Sequence, residues 1–231
     1  MKRSLLIFAL FALVISCKSI YYSDLSPKGQ VSNKLPALQP QYNTYNLENI
    51  YSRGSTVSST SGAYNSYYIE KTDKTLNSGY STTTSTSYAD ERIQDVITIF
   101  EKDVIENITN NIGQKKGYAR FNIRTGESYS KFKTGNFLIG WCFLFTPYLF
   151  GMNASKGITT LEVEVELCDL SGNTVGRYNA FSHVEKTVAL WRGYNKTNAV
   201  RMSNIECVTN CLNQIKEKID NDSRRLRTLL N

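Results

Sequence analysis

The chain is poor in the residues that most chemistry needs. Its 231 residues contain one histidine, His183. A metal centre needs several ligands and a hydrolytic triad needs a partnered base, so a lone histidine reads as structural. Gly-x-Ser-x-Gly, His-Glu-x-x-His, a phosphate-binding loop and Gly-x-Gly-x-x-Gly are all absent. Nothing singles out two carboxylates held across a cleft, as glycoside hydrolysis requires. No catalytic residue, metal or cofactor is therefore expected. Cysteine is scarce as well. Beyond Cys17 there are Cys142, Cys168, Cys207 and Cys211, with no Cys-x-x-Cys pair. They read as small buried apolar residues, although an oxidising compartment would allow three disulfide connectivities. Cys207 and Cys211, four apart on a helix, are poorly placed to bridge each other. Charge of one sign is also limited. The net charge is +7, and the basic residues are scattered apart from Arg224, Arg225 and Arg227. Without a basic stripe and interleaved aromatics, nucleic acid is not an expected partner. Finally, no apolar run reaches the roughly 20 residues that cross a bilayer as a helix.

What is present begins at the front. Lys2 and Arg3 precede an almost unbroken apolar run from Leu5 to Ile15, closed by Ser16-Cys17-Lys18. A basic start, a short apolar core and a small residue at the cut mark a secretory signal. Residues 17–88 then read as a tether. From Ser52 to Ser87 roughly half the positions are Ser or Thr, a composition that buries too little apolar surface to order itself. The tyrosines scattered through it point to segments that dock, with Leu47 to Tyr51 and Tyr64 to Ile69 the best candidates. A flexible tether of about 70 residues reaches roughly 45 Å.

Residues 89–231 read as a folded domain. Ile93, Val96, Ile97, Phe100, Val104, Ile108 and Ile112 recur at helical spacing, with Asp90 as N-cap and Gly113 as the stop. Ala119, Phe121 and Ile123 alternate with Arg120, Asn122 and Arg124 as a half-buried strand. Thr125-Gly126-Glu127 reads as a turn into a second, shorter strand over 128–133. Leu161, Val163, Val165 and Leu167 alternate with Glu162, Glu164 and Glu166, which should face water. The turn residues Asp169 to Asn173 join this strand to another from Val175 to Lys186. A last helix carries Met202, Ile205, Val208, Leu212, Ile215 and Ile219 on one face, with Asp220-Asn221-Asp222 ending or loosening it. The expected fold class is α+β: a mainly antiparallel sheet of about four strands, two amphipathic helices packed on one face, and a disordered tether in front.

Between the first strands and the hairpin lies the most apolar stretch after the signal, Phe137 to Met152. It interrupts itself with Gly140, Pro147 and Gly151. Two readings stand: a strand-turn segment across the core, or an apolar protrusion meeting lipid or a partner. On the second reading Phe137, Trp141, Phe143, Phe145, Tyr148 and Phe150 form an interaction surface.

Val14-Ile15-Ser16-Cys17 resembles the lipobox of bacterial lipoproteins, in which the cysteine is lipidated and becomes the mature N-terminus. Leu161, Val163, Val165, Leu167, Asp169, Gly172 and Val175 are similar to a hairpin pattern of small envelope lipoproteins, and the ending Phe150-Gly151-Met152 resembles those of the Bacteroidota. The resemblance implies residues 1–16 as a lipoprotein signal peptide and Cys17 as the lipidation site. It implies a membrane partner through the N-terminal lipid and an outer-membrane location facing the periplasm. Some proteins of similar architecture activate cell-wall synthases or belong to export assemblies. The function expected is a non-enzymatic binding or accessory module for an envelope protein or peptidoglycan. The alternative is an oligomeric or membrane-inserting component that uses residues 137–152. The resemblance carries no catalytic residue across.

Overall fold

A computed structural model describes residues 29–53, 91–110, 112–132, 141–142, 153–189 and 196–230. Strand β1 (Leu38–Tyr42) and helix α1 (Thr44–Arg53) come first. Helix α2 (Glu91–Lys102) follows and runs into a π-helical turn (Asp103–Ile108). Strands β2 (Gly117–Phe132), β3 (Asn153–Asp169) and β4 (Thr174–Ala189) lead to the closing helix α3 (Lys196–Leu229). The sheet order is β1-β2-β3-β4. β1 runs parallel to β2, from Leu38 opposite Gly117 to Tyr42 opposite Phe121. The other pairings are antiparallel. The α+β class with a four-stranded sheet and amphipathic helices therefore stands, with one parallel edge strand and a third helix added.

The addition corrects the expected tether. Residues 29–53 are part of the fold, whereas 54–88 and the signal lie outside the described residues. Val31, Leu35, Leu38, Tyr42, Leu47, Ile50 and Tyr51 are all buried in the main core. Polar residues and prolines surround them, so the local composition looks like linker although these seven side chains find sites in the core, while Tyr45 stays exposed. Backbone bonds fasten the segment: Val31 N–H donates to Asn107 O at 3.0 Å, and Lys116 N–H donates to Ala37 O at 2.7 Å. The docking role read for Leu47 to Tyr51 agrees with this. The Tyr51 hydroxyl donates to Asn204 on α3 at 2.7 Å, and Arg92 lies over the Tyr51 ring.

Three boundaries also differ from the sequence reading. Thr125-Gly126-Glu127 is no turn, because β2 runs on through it with a bulge between Ile123 and Thr125. The extra residue, Arg124, flips which side chains face inward. Ala119, Phe121 and Ile123 point to the core before it; Ser128 does so after it, sharing a 2.9 Å hydrogen bond with Thr159. The helix expected to reach Ile112 closes at Ile108. Thr109 N–H and Oγ1 both donate to Val104 O, and Thr109 then bridges Leu35. Ile112 is left 90% exposed. The closing helix does not end at Asp220. Ser32 bonds the Asp220 carboxylate through both N–H and hydroxyl, and Tyr178 and Arg225 bond that of Asp222. These acids are therefore partnered inside the helix, and it continues to bury Leu226.

The helices cover one face of the sheet. α3 lies across β3 and β4 and buries Val208, Cys211, Leu212, Ile215 and Ile219 against Leu161, Val163 and Val165. The approach is closest at Gly157, where any Cβ would collide with the backbone of Ala199 and Val200. At the far end, Gly172 adopts φ +85° in the β3–β4 turn, and the Asp169 carboxylate accepts from Asn173 N–H at 2.8 Å. Those bonds from Asn173 hold the Asp169 carboxyl below its usual range.

Candidate interaction surface

The two ends of the sheet differ in kind. β2 and β3 stay paired out to Phe132 opposite Ser155, so the chain leaves β2 and re-enters β3 at that end of the sheet. β4 finishes beside Asn153 at that end, and α3 begins there. Within the apolar stretch, residues 141–142 are described: Trp141 is 68% exposed and Cys142 is exposed. Phe137, Phe143, Phe145, Tyr148 and Phe150 lie outside the described residues, as does Cys17. The chain enters the fold at the opposite end. Gly29 accepts from the Lys216 ammonium at 3.0 Å, and Ser32 meets Asp220 near the C-terminus of α3. A strand of 17 residues and a helix of 34 each extend about 50 Å. Chain entry and the strand ends Phe132 and Ser155 therefore lie at opposite ends of the sheet.

The sheet face away from the helices is charged and largely neutralises itself. Glu164 and Glu166 do not stand free in water, as alternation predicts. Arg124 pairs with Glu164 at 2.5 Å, and Arg177 pairs with Glu166 at 2.6 Å. Their side chains lie over the strip, so that Glu164 and Glu166 are buried. Glu162 accepts a bond from the Thr125 hydroxyl. His183 shares a 2.8 Å hydrogen bond with Thr160 and lies 3.8 Å from Glu185. Among the described residues, no group of three or more His, Cys, Asp or Glu is placed to hold a metal ion. Phe181 is an exposed aromatic on this same face.

A buried ion pair escaped the sequence reading. The Lys216 ammonium bonds Asp103 Oδ1 at 2.7 Å, and Asn107 donates to the same oxygen at 2.7 Å. Asp103 is fully buried and its Oδ2 has no partner. Burial pushes the Asp103 carboxyl above its ordinary value, against the opposing pull of Lys216. The π-helical turn makes this possible by turning Asp103, Val104, Asn107 and Ile108 inward together. The available signal was an acid and a base at core-facing helical positions, beside Phe100 and Ile215. Of the cysteines, Cys168, Cys207 and Cys211 are buried as expected, Cys142 is not, and all four are free thiols. The hydrogen bond with Cys207, together with burial, pushes the Cys211 thiol well above its ordinary value.

No family model matches the chain, and no curated protein matches it. Among solved structures, a Xanthomonas campestris protein of the family DUF330 overlays at 15% identity with a TM-score of 0.33, covering 85% of this chain and 94% of that one. A Caulobacter crescentus protein described as a lipoprotein candidate overlays at 12% identity with a TM-score of 0.27, covering 61% of this chain and 78% of that one.

Proposed function

We propose that the protein is a lipid-anchored, non-enzymatic lipoprotein of the bacterial cell envelope. It is held at the outer membrane through Cys17 and presents the stretch around Trp141 to an envelope protein or cell-wall polymer. The observation that carries this reading is Trp141, left 68% exposed within the apolar stretch that links β2 to β3. An exposed tryptophan is costly to leave in water and recurs as an anchor in binding surfaces. Lys18 directly after Cys17 fits outer-membrane sorting. The non-enzymatic part is supported by His183, engaged by Thr160 on an open sheet face.

Metabolic labelling with an alkyne fatty acid tests the anchor. Wild type should label and Cys17→Ala should not; equal labelling sinks the lipoprotein reading. A photo-crosslinking amino acid at position 141 tests the surface in cells, and a defined protein adduct or glycan adduct is expected. The second reading, insertion into lipid or a homo-oligomer, is favoured by the apolar run on either side of Trp141, since tryptophan prefers membrane interfaces. Lipid adducts or adducts between copies of the chain at position 141 would support it instead.

A further inference from the structure

A cavity of about 310 Å³ opens between the segment after Gly29 and the last turns of α3, lined by Asn33, Ser223, Arg224 and Arg227. We propose that it binds a phosphate group. Arg224 and Arg227, three apart, share one face of the helix. Both are exposed, and neither has an ion pair among the described residues. Arg225, on the adjacent face, is already paired with Asp222 at 2.9 Å. The nearest acids are occupied. Asp220 accepts from Ser32 N–H at 3.0 Å, the Ser32 hydroxyl at 2.8 Å and Asn33 N–H at 3.4 Å. Asp222 accepts from Tyr178 at 2.9 Å as well as from Arg225. Ser223 is 3% exposed, and its hydroxyl has no hydrogen-bond partner among the described residues. Two guanidinium forks match phosphate oxygens bidentately, and the Ser223 hydroxyl and Asn33 amide add neutral donors. The C-terminal dipole of α3 disfavours an anion, so binding rests on the two arginines.

The phosphate can come from a lipid headgroup or a soluble compound. On the lipid-anchored reading, which the headgroup source alone requires, Cys17 lies twelve residues before Gly29. That span reaches at most about 40 Å, so headgroups are within range.

The full chain, purified in detergent, is titrated calorimetrically with inorganic phosphate. In parallel it is floated with phosphatidylcholine vesicles with or without phosphatidylglycerol. Replacing both cavity arginines (Arg224→Gln with Arg227→Gln) should weaken binding at least tenfold. Arg225→Gln should weaken it less than twofold, and circular dichroism should show all three chains melting alike. Preference for phosphatidylglycerol that the double variant loses assigns a headgroup. Phosphate binding without that preference, lost in the double variant, assigns a soluble ligand, and either result supports the cavity; binding that the double variant keeps overturns it. Binding in neither arm, or an equal loss with Arg225→Gln, overturns it. Fatty-acid labelling of Cys17 is a separate readout, so failure of the anchor and failure of the cavity are told apart.

Discussion

At the residue scale, Asp103 and Lys216 carry the highest stakes. A buried ion pair adds little net stability, but removing one partner strands the other charge at a cost of about 3–5 kcal/mol. Lys216→Met should therefore lower the unfolding free energy by that amount in urea titrations. Adding Asp103→Asn should restore most of it, because Asn107 can still bond the side chain at 103. A simple sum of the two single effects would contradict this. The pair also sets a pH response. Folding raises the Asp103 carboxyl above 3.8, so the fold holds that proton more tightly than the unfolded chain does. Its contribution to stability is full below 3.8 and is lost as pH rises through the raised value. Wild type should gain on the Asp103→Asn variant as pH falls through that window, read as a growing difference in urea midpoints.

At the element scale, the contact of α3 with the sheet depends on Gly157. A Cβ there would meet the backbone of Ala199 and Val200, and neither can move without shifting the start of α3. Gly157→Ala should cost about 1–3 kcal/mol, the range for overpacking, measurable by chemical denaturation. The same helix guards the edge of β4. Arg225, Gln214 and Lys218 donate to the carbonyls of Val175, Phe181 and Asn179. A long unprotected edge strand invites pairing with another chain. Replacing Gln214 and Lys218 by alanine should leave the melting temperature nearly unchanged but raise concentration-dependent association, seen by light scattering. The elements themselves were legible to different degrees. Alternation at Leu161 to Leu167 marks β3 plainly, because each residue faces one side throughout. In β2 the bulge at Arg124 breaks the alternation, so a continuous strand reads as a strand, a turn and another strand.

At the scale of the whole molecule, the segment before α2 decides whether the domain exists. Val31, Leu35, Leu38, Tyr42, Leu47, Ile50 and Tyr51 are buried. At about 1.5–3 kcal/mol for each side chain of this size, their removal costs as much as or more than the roughly 5–15 kcal/mol by which domains are stable. A fragment starting at residue 89 should therefore lack a cooperative thermal transition, while a fragment starting at residue 29 should keep one. Differential scanning calorimetry would decide between these outcomes.

The sequence by itself determined the local content. Period-two alternation and helical spacing placed β3, β4, α2 and α3, because these signals arise from neighbouring residues alone. Only the tertiary structure decided what depends on distant partners. Leu35 to Tyr42 is core because β2 receives it, and nothing local says so, whereas Leu47 to Tyr51 was legible only as a segment that docks. Asp103 and Lys216 are tolerated inside because two separate helices bring them to 2.7 Å. Arg224 and Arg227 line a cavity rather than a bare helix end because Asn33, nearly two hundred residues earlier, folds back beside them. Long-range pairing satisfies groups that local pattern leaves open, so burial, partners and cavities follow from topology.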